Sequence, residues 1–275
     1  MAQDTMKQGS LAELLVSRAL QSCATAGNVL VMSVTVGASI LTDIPRRRFP
    51  WREFVRQAWF MVSVSVIPTI LVAVPFGVII SVQVSSVAQQ VGASSFMGAA
   101  NGLGVIQQGA PIVTALLLAG AVGSAITSDL GARKIREEID ALETMGLSPI
   151  RRLVAPRMVA IVLVAIVLCG IVVFTGVVTG YFFNVLAQGG TPGSYVSSFA
   201  AFAQPSDLIL AEFKSVLFGA IVGVVAAQKG LTAQGGPGGV AHAVNAAVVL
   251  AVVILFGVNV IITQISNVLF PSRIV

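Results

Sequence analysis

Between Arg56 and Asp129 the chain carries no Asp, Glu, Lys or Arg. A run of that length cannot be the surface of a water-soluble domain, in which about 25% of residues are charged. It is long enough for two membrane-crossing helices, since each needs about 20 apolar residues to cover the hydrocarbon. The rest of the 275 residues keeps the same character, with 56% hydrophobic, 10% charged and a mean hydropathy of +0.95. The expected fold class is therefore an all-α polytopic membrane protein.

Five spans follow from the apolar segments. The uncharged run holds two, about 57–88 and 103–128, joined by a turn at GASSFMGAANG. The third covers about 154–187, VAIVLVAIVLCGIVVFTGVVTGYFF being its clearest part. A Gly/Pro/Ser-rich loop, AQGGTPGSYVSSFAAFAQPSD, precedes a fourth at about 207–228, and a fifth covers about 240–269. Lengths of this kind use almost the whole chain, so a separate catalytic domain is not expected within it. The opening MAQDTMKQGS lacks the basic and apolar regions of a signal peptide.

Charge sets the expected orientation. With five spans, all of the 16 basic residues except Lys214 and Arg273 fall on one side of the membrane. By the positive-inside rule that side is cytoplasmic, which puts the N-terminus in the cytoplasm and the C-terminus outside. The pI of about 9.8 reflects these topology-setting arginines rather than nucleic-acid binding. Residues 19–42 are uncharged and long enough to cross, but dotted with Ser, Thr, Asn and Gln. They read better as part of a helix over about 10–45 lying on the cytoplasmic membrane surface.

One segment interrupts the apolar pattern. Gly131 to Arg157, GARKIREEIDALETMGLSPIRRLVAPR, carries six of the 16 basic and four of the 11 acidic residues. Ile135, Ile139 and Leu142 fall at i, i+4 and i+7, the stripe of an amphipathic helix over about 132–146. Gly146 is its expected stop, and Ser148-Pro149 the start of the third span. The spacing allows i, i+4 pairs Arg133/Glu137, Lys134/Glu138 and Arg136/Asp140, worth only about 0.2–0.5 kcal/mol each. Helix stability alone does not account for such a charged island. It is either a solvated loop helix that fixes topology or a docking helix for a cytoplasmic partner.

Other polar residues narrow the chemistry. Glu212 and Lys214, near the expected outer end of span four, are a gate or an interfacial pair whose cost snorkelling lowers. His242 has no companion at metal-ligand spacing. Cys23 and Cys169 are read as two small buried side chains. GGPGG (235–239) lacks the lysine of a phosphate-binding loop, so nucleotide hydrolysis belongs to another protein. In span one, Pro68 and Pro75 favour kinks. In span two, Gln107-Gln108-Gly-Ala-Pro111 frees backbone groups that need a partner or a hydrated cavity. Val74, Phe76, Val78 and Ile79 are candidate linings of an apolar cargo path, with Gln107 and Gln108 able to hydrogen-bond a headgroup. An ion-coupled secondary carrier and a non-transporting scaffold remain as alternatives; the first lacks intramembrane acidic runs and a visible inverted repeat, and the second has no use for the island.

LAGAVGSAITSDLGARKIREEIDALETMGLSPIRRLVAPR resembles the signature region of the MlaE/YrbE permeases. These are membrane subunits of ATP-driven lipid transporters that work with MCE-domain proteins. The matching residues include Gly120, Gly123, Ser124, Gly131, Glu137, Ile139, Asp140, Ala141, Leu142, Glu143, Met145, Gly146, Pro149, Arg151, Pro156 and Arg157. FPWREFVRQAWFM, AEFKSVLFG and GLTAQGGPGGV extend the likeness along the chain, the last two being most similar to the actinobacterial YrbE branch, in which two paralogous permeases pair.

The resemblance implies a surface helix plus five spans in the plasma (inner) membrane, a heterodimer with a second permease, and a cytoplasmic ATPase dimer that binds the ATP. It implies that the island is the coupling helix, with Arg133, Arg136, Glu137, Glu138, Asp140, Glu143 and Met145 as contact residues. The sequence departs from the family pattern at Gln107-Gln108, where many members carry Arg-Glu, and at Ala121, where many carry Arg. That loss of charge points to a fatty acid, mycolic-acid-like lipid or sterol rather than a phospholipid.

Overall fold

The computed structural model describes residues 27–42 and 49–269, helical apart from short connections and without a strand among the described residues. The chain divides between Phe49 and Pro50 into two compact units. In the first, helix α1 covers Gly27–Thr42. Its hydroxyl groups turn back on its own backbone: Ser33, Thr35 and Ser39 donate to the carbonyls four residues earlier, at 2.8 Å each. At 1.5 Å per residue α1 is about 24 Å long, short of the about 30 Å of a hydrocarbon core. The remainder of the expected 10–45 surface helix, 10–26 and 43–45, lies outside the described residues.

The second unit holds five helices long and apolar enough to cross a membrane. These are α2 (Trp51–Gln90), α3 (Met97–Ile135), α5 (Ile150–Ala187), α7 (Pro205–Leu231) and α8 (Gly236–Leu269). Two short helices, α4 (Glu138–Thr144) and α6 (Pro192–Phe202), lie in connections. The five expected spans are all there; three extend beyond both predicted ends, and the third and fifth only beyond their starts. An apolar window finds the hydrocarbon-facing stretch, whereas hydrogen bonding carries the helix on into polar flanks. The turn expected over 92–102 is accordingly shorter. Gly92, at φ +68°, turns the chain, and a single tight turn at Ser94–Phe96 leads straight into α3.

Successive long helices alternate in direction. The starts of α2, α5 and α8 meet the ends of α3 and α7 at the island end, and the other termini gather at the opposite end.

Packing follows the logic of a lipid solvent, in which burying apolar surface between helices yields little and close backbone approach matters more. The buried face of α2 reads Ser65, Thr69, Ala73, Gly77, Ser81 and Ser85, a small residue every fourth position. That stripe lies along α5. A Cβ added at Gly77 would stand 2.8 Å from the Gly176 carbonyl oxygen, so glycine is required at this crossing. Outside, α2 shows large apolar side chains such as Trp59, Ile67 and Leu71. Hydroxyl groups bridge other pairs: Ser215 donates to the Ala165 carbonyl at 2.8 Å and Thr127 to the Ala226 carbonyl at 3.1 Å. At the opposite end α6 is pinned by Tyr195, whose hydroxyl accepts from Asn101 at 3.0 Å. Burial pushes its phenol up to about 12.

Candidate functional site

Pro111 has no N–H, so the Gln107 carbonyl one turn earlier loses its ordinary helical donor. α3 answers with a widened π turn over Val105–Gly109, and α7 supplies a donor. The Lys214 ammonium, on a residue 1% exposed, donates to the Gln107 carbonyl at 3.1 Å and to the Thr263 hydroxyl of α8 at 3.0 Å. One cation therefore ties three spans together. The Gln107 side chain donates in turn to Asp207 Oδ1 at 2.9 Å, while Asp207 Oδ2 accepts from the Gln204 N–H as part of the α7 cap. A polar chain thus runs from Asp207 in the first turn of α7 to Lys214, about 10 Å along the helix.

Snorkelling is not what lowers the cost of Lys214. Nor do Glu212 and Lys214 form a pair: two residues apart on a helix they diverge by about 200°, and no ion pair joins them. Glu212 turns towards α5, where a Cβ at Gly170 would lie 3.9 Å from its Oε1. Its Oε2 is buried without a hydrogen-bond partner. Cys169 beside it is buried; Cys23 lies outside the described residues.

The candidate path residues separate. Phe76 packs on the core formed by Ala73, Ile106, Ala110 and Val113, and a Cβ at Gly109 would come within 2.9 Å of its ring. It therefore shares a face with the π turn that carries Gln107. Val74 and Ile79 are exposed, at 41% and 57%, on the outer surface of α2. Val78 is half-buried, as is Gln108, whose amide makes no hydrogen bond to another described residue. Pro68 and Pro75 both lie inside α2, which continues through them.

The charged island is not one helix over 132–146. α3 runs on to Ile135, the chain breaks at Arg136-Glu137, and α4 begins at Glu138. Glu137 makes the break, in a left-handed conformation at φ +60° and ψ 13°. The break cancels the expected i, i+4 pairing. Instead Lys134 meets Asp140 at 2.5 Å, Arg136 meets Glu138 at 2.9 Å, and Arg133 reaches Asp129 at 3.3 Å and Glu138 at 3.5 Å. α4 ends where expected: Gly146 has φ +74°, and the Leu147 N–H donates to the Leu142 carbonyl at 2.9 Å. Ile139 is buried, while Glu137, Glu143 and Met145 face outward. Neither of these two glutamates makes an ion pair with another described residue. α4 therefore anchors by Ile139, and it and its two flanking residues offer a methionine and two carboxylates that have no ion-pair partner among the described residues.

Behind the island, the Arg157 guanidinium at the start of α5 donates to Asp129 near the end of α3. The Arg157 side chain is 3% exposed, and it also donates to the Leu153 carbonyl at 3.1 Å. Asp129 thus binds the two helices that the island connects.

Residues 54–265 match the family model of the MlaE permease. The chain belongs to the MlaE permease family. It is 28% identical to a probable ABC transporter permease protein of Synechocystis, over 82% of this chain and 86% of that one. The intermembrane phospholipid transport system permease protein MlaE of Haemophilus influenzae is 29% identical, over 83% and 87%. Protein TRIGALACTOSYLDIACYLGLYCEROL 1 of Arabidopsis thaliana chloroplasts is 25% identical over 80% of this chain and 63% of its own length. On the structure, the MlaE-family signature residues occupy the end of α3, the break, α4 and the start of α5. Ala121 lies half-buried in a second π turn of α3, Leu118–Gly123. Sequence reasoning missed Asp129 and Asp207. Asp129 was visible as the first charge after the long uncharged run, and Asp207 as the acid in the first turn of α7 after Pro205.

Proposed function

We propose that this chain is the membrane-spanning subunit of an ATP-driven lipid transporter, with ATP bound and hydrolysed by a separate cytoplasmic ATPase dimer. Membership of the MlaE permease family carries this reading, together with the exposed face of α4. Glu137, Glu143 and Met145, with Arg133, Arg136, Glu138 and Asp140 behind them, form a surface suited to a partner with basic and apolar contact residues. Movement of that surface would reach α3 directly and α5 through Asp129 and Arg157. MCE-domain proteins on the outer side and a second, paralogous permease complete the proposed assembly, in the plasma membrane with the island cytoplasmic.

The cargo reading rests on the Lys214 station. Gln107 and Gln108 bring no charge to the path, but Lys214 places one buried ammonium beside Gln107. A single cation among apolar helices suits a lipid with one carboxylate, such as a fatty acid or mycolic-acid-like lipid, more than a sterol. Phe76 would line the path beside it. Glu212, facing α5 instead, is not assigned to the gate.

Purifying the tagged chain in mild detergent and identifying what accompanies it by mass spectrometry tests this. The reading expects an ABC ATPase, a second MlaE-type permease and a single-carboxylate lipid. Recovery of the chain alone, inserted and folded, would remove the transporter assignment.

A further inference from the structure

We propose that a cleft at the island end of α2, α3 and α5 binds the phosphate headgroup of an anionic phospholipid from the surrounding leaflet. The cleft encloses about 230 Å³. That is below the about 300–1,000 Å³ of sites for drug-sized ligands, so it admits a headgroup rather than a whole lipid. Its walls and its mouth differ in chemistry. Phe60, Met61, Val122, Ala125 and Ile126 line the apolar part. Arg56, Arg133 and Arg157, with Gln57 and Asp129, line the rest. Arg56 and Asp129 bound the long uncharged run, so the cleft lies where α2 and α3 pass between hydrocarbon and headgroups. Basic pockets between spans at that level take anionic headgroups.

Among the residues that line the cleft, basic groups outnumber acidic ones. Three of the lining residues carry guanidinium groups and Asp129 a carboxylate, which Arg157 and Arg133 already share, while Glu53 and Glu138 reach Arg56 and Arg133 from outside the lining. Arg133 holds its partners loosely, at 3.3 and 3.5 Å. Arg56 pairs with Glu53 at 2.9 Å, but its side chain is 68% exposed, and pairs that exposed hold an arginine only weakly. Both side chains can turn to a phosphate, which matches the forked geometry of guanidinium and accepts two hydrogen bonds from each. An acyl chain would leave the cleft beside Phe60, a residue of α2 that is 51% exposed. The site needs only that the chain spans a membrane, so it stands or falls separately from ATP-driven transport.

The test reconstitutes the full chain in phosphatidylcholine vesicles containing a minor fraction of phosphatidylglycerol that carries a diazirine near its headgroup. A phosphatidylcholine probe with the same diazirine is the control. Labelled residues are mapped by mass spectrometry. The phosphatidylglycerol probe should label residues 56–61 and 122–126 more strongly than the control, and Arg56→Gln and Arg133→Gln should each cut that labelling about five-fold. Ala125→Phe, which fills the walls without touching charge, should abolish it while labelling along α8 persists. Equal labelling by both probes, or labelling that survives the double arginine variant, would overturn the proposal. Displacement by soluble glycerol phosphate would also overturn it, because the site would then take a free phosphate and not a lipid.

Discussion

The Lys214 ammonium donates to the Gln107 carbonyl at 3.1 Å, and that carbonyl is available because Pro111 carries no N–H. A helix defect in one span and a buried charge in another thus answer each other. Each alone would be costly in a bilayer, since an unsatisfied backbone group and an unpaired cation both want water.

The pair predicts a coupled double mutant. Lys214→Met should cost about 1–3 kcal/mol by orphaning the carbonyl. Pro111→Ala restores a backbone donor, so adding it to Lys214→Met should recover part of that loss. Thermal unfolding of the four proteins in detergent measures the coupling. Strictly additive effects would show that the lysine does not serve the carbonyl.

Gly77 predicts a packing failure. A Cβ there meets the Gly176 carbonyl oxygen at 2.8 Å, backbone against backbone, with no flexible side chain to yield. Gly77→Val should destabilise α2 against α5 by about 1–3 kcal/mol or more. Gly27→Val, where nothing lies within 4 Å of the added Cβ, is the control and should have little effect. Limited proteolysis of the two variants in detergent compares them; similar resistance would mean the α2–α5 crossing is looser than described.

Much of this architecture was legible in the sequence because hydrocarbon imposes a length and an absence of charge that a window of residues records directly. The five spans, the stop at Gly146 and the need of the Pro111 break for a partner were all readable. The partner itself was not, since Lys214 lies over a hundred positions away and looked like an interfacial residue. The island misled for another reason. Its Ile135, Ile139 and Leu142 period is helical, but a break at a non-glycine residue with φ +60° leaves no composition signal. Side chains that share a helix, such as Val74 and Phe76, were grouped by sequence proximity although they point to different faces.

Asp129 predicts a local charge failure. Asp129→Asn leaves the Arg157 guanidinium, 3% exposed, without its carboxylate. Removing one partner of a buried pair costs about 3–5 kcal/mol, discounted here because Asp129 is itself 44% exposed. Arg133→Gln, whose contacts are longer and more exposed, should cost well under half as much. Unfolding midpoints of the two variants in the same detergent decide it; equal losses would contradict the assigned roles.

Five crossings predict that the two ends of the chain lie on opposite faces. In sealed, oriented vesicles a tag before Met1 should be accessible from the same side as Glu143, and a tag after Val275 only from the other. Finding both tags on one side would mean that the 19–42 segment crosses, or that one long helix does not.

The central claim is that the island seats the ATPase. Glu137 and Glu143 are its two outward carboxylates without an ion-pair partner among the described residues, so the double variant Glu137→Lys/Glu143→Lys reverses the contact surface without breaking the folded unit. The measurement is the ratio of ATPase to permease in the complex purified from membranes, alongside lipid transport by the same preparation in vesicles. The account predicts that the permease is recovered at its usual level with ATPase reduced at least about ten-fold, as loss of two interfacial charge contacts implies, and with transport lost. A stoichiometric, transport-competent complex from the double variant would contradict it.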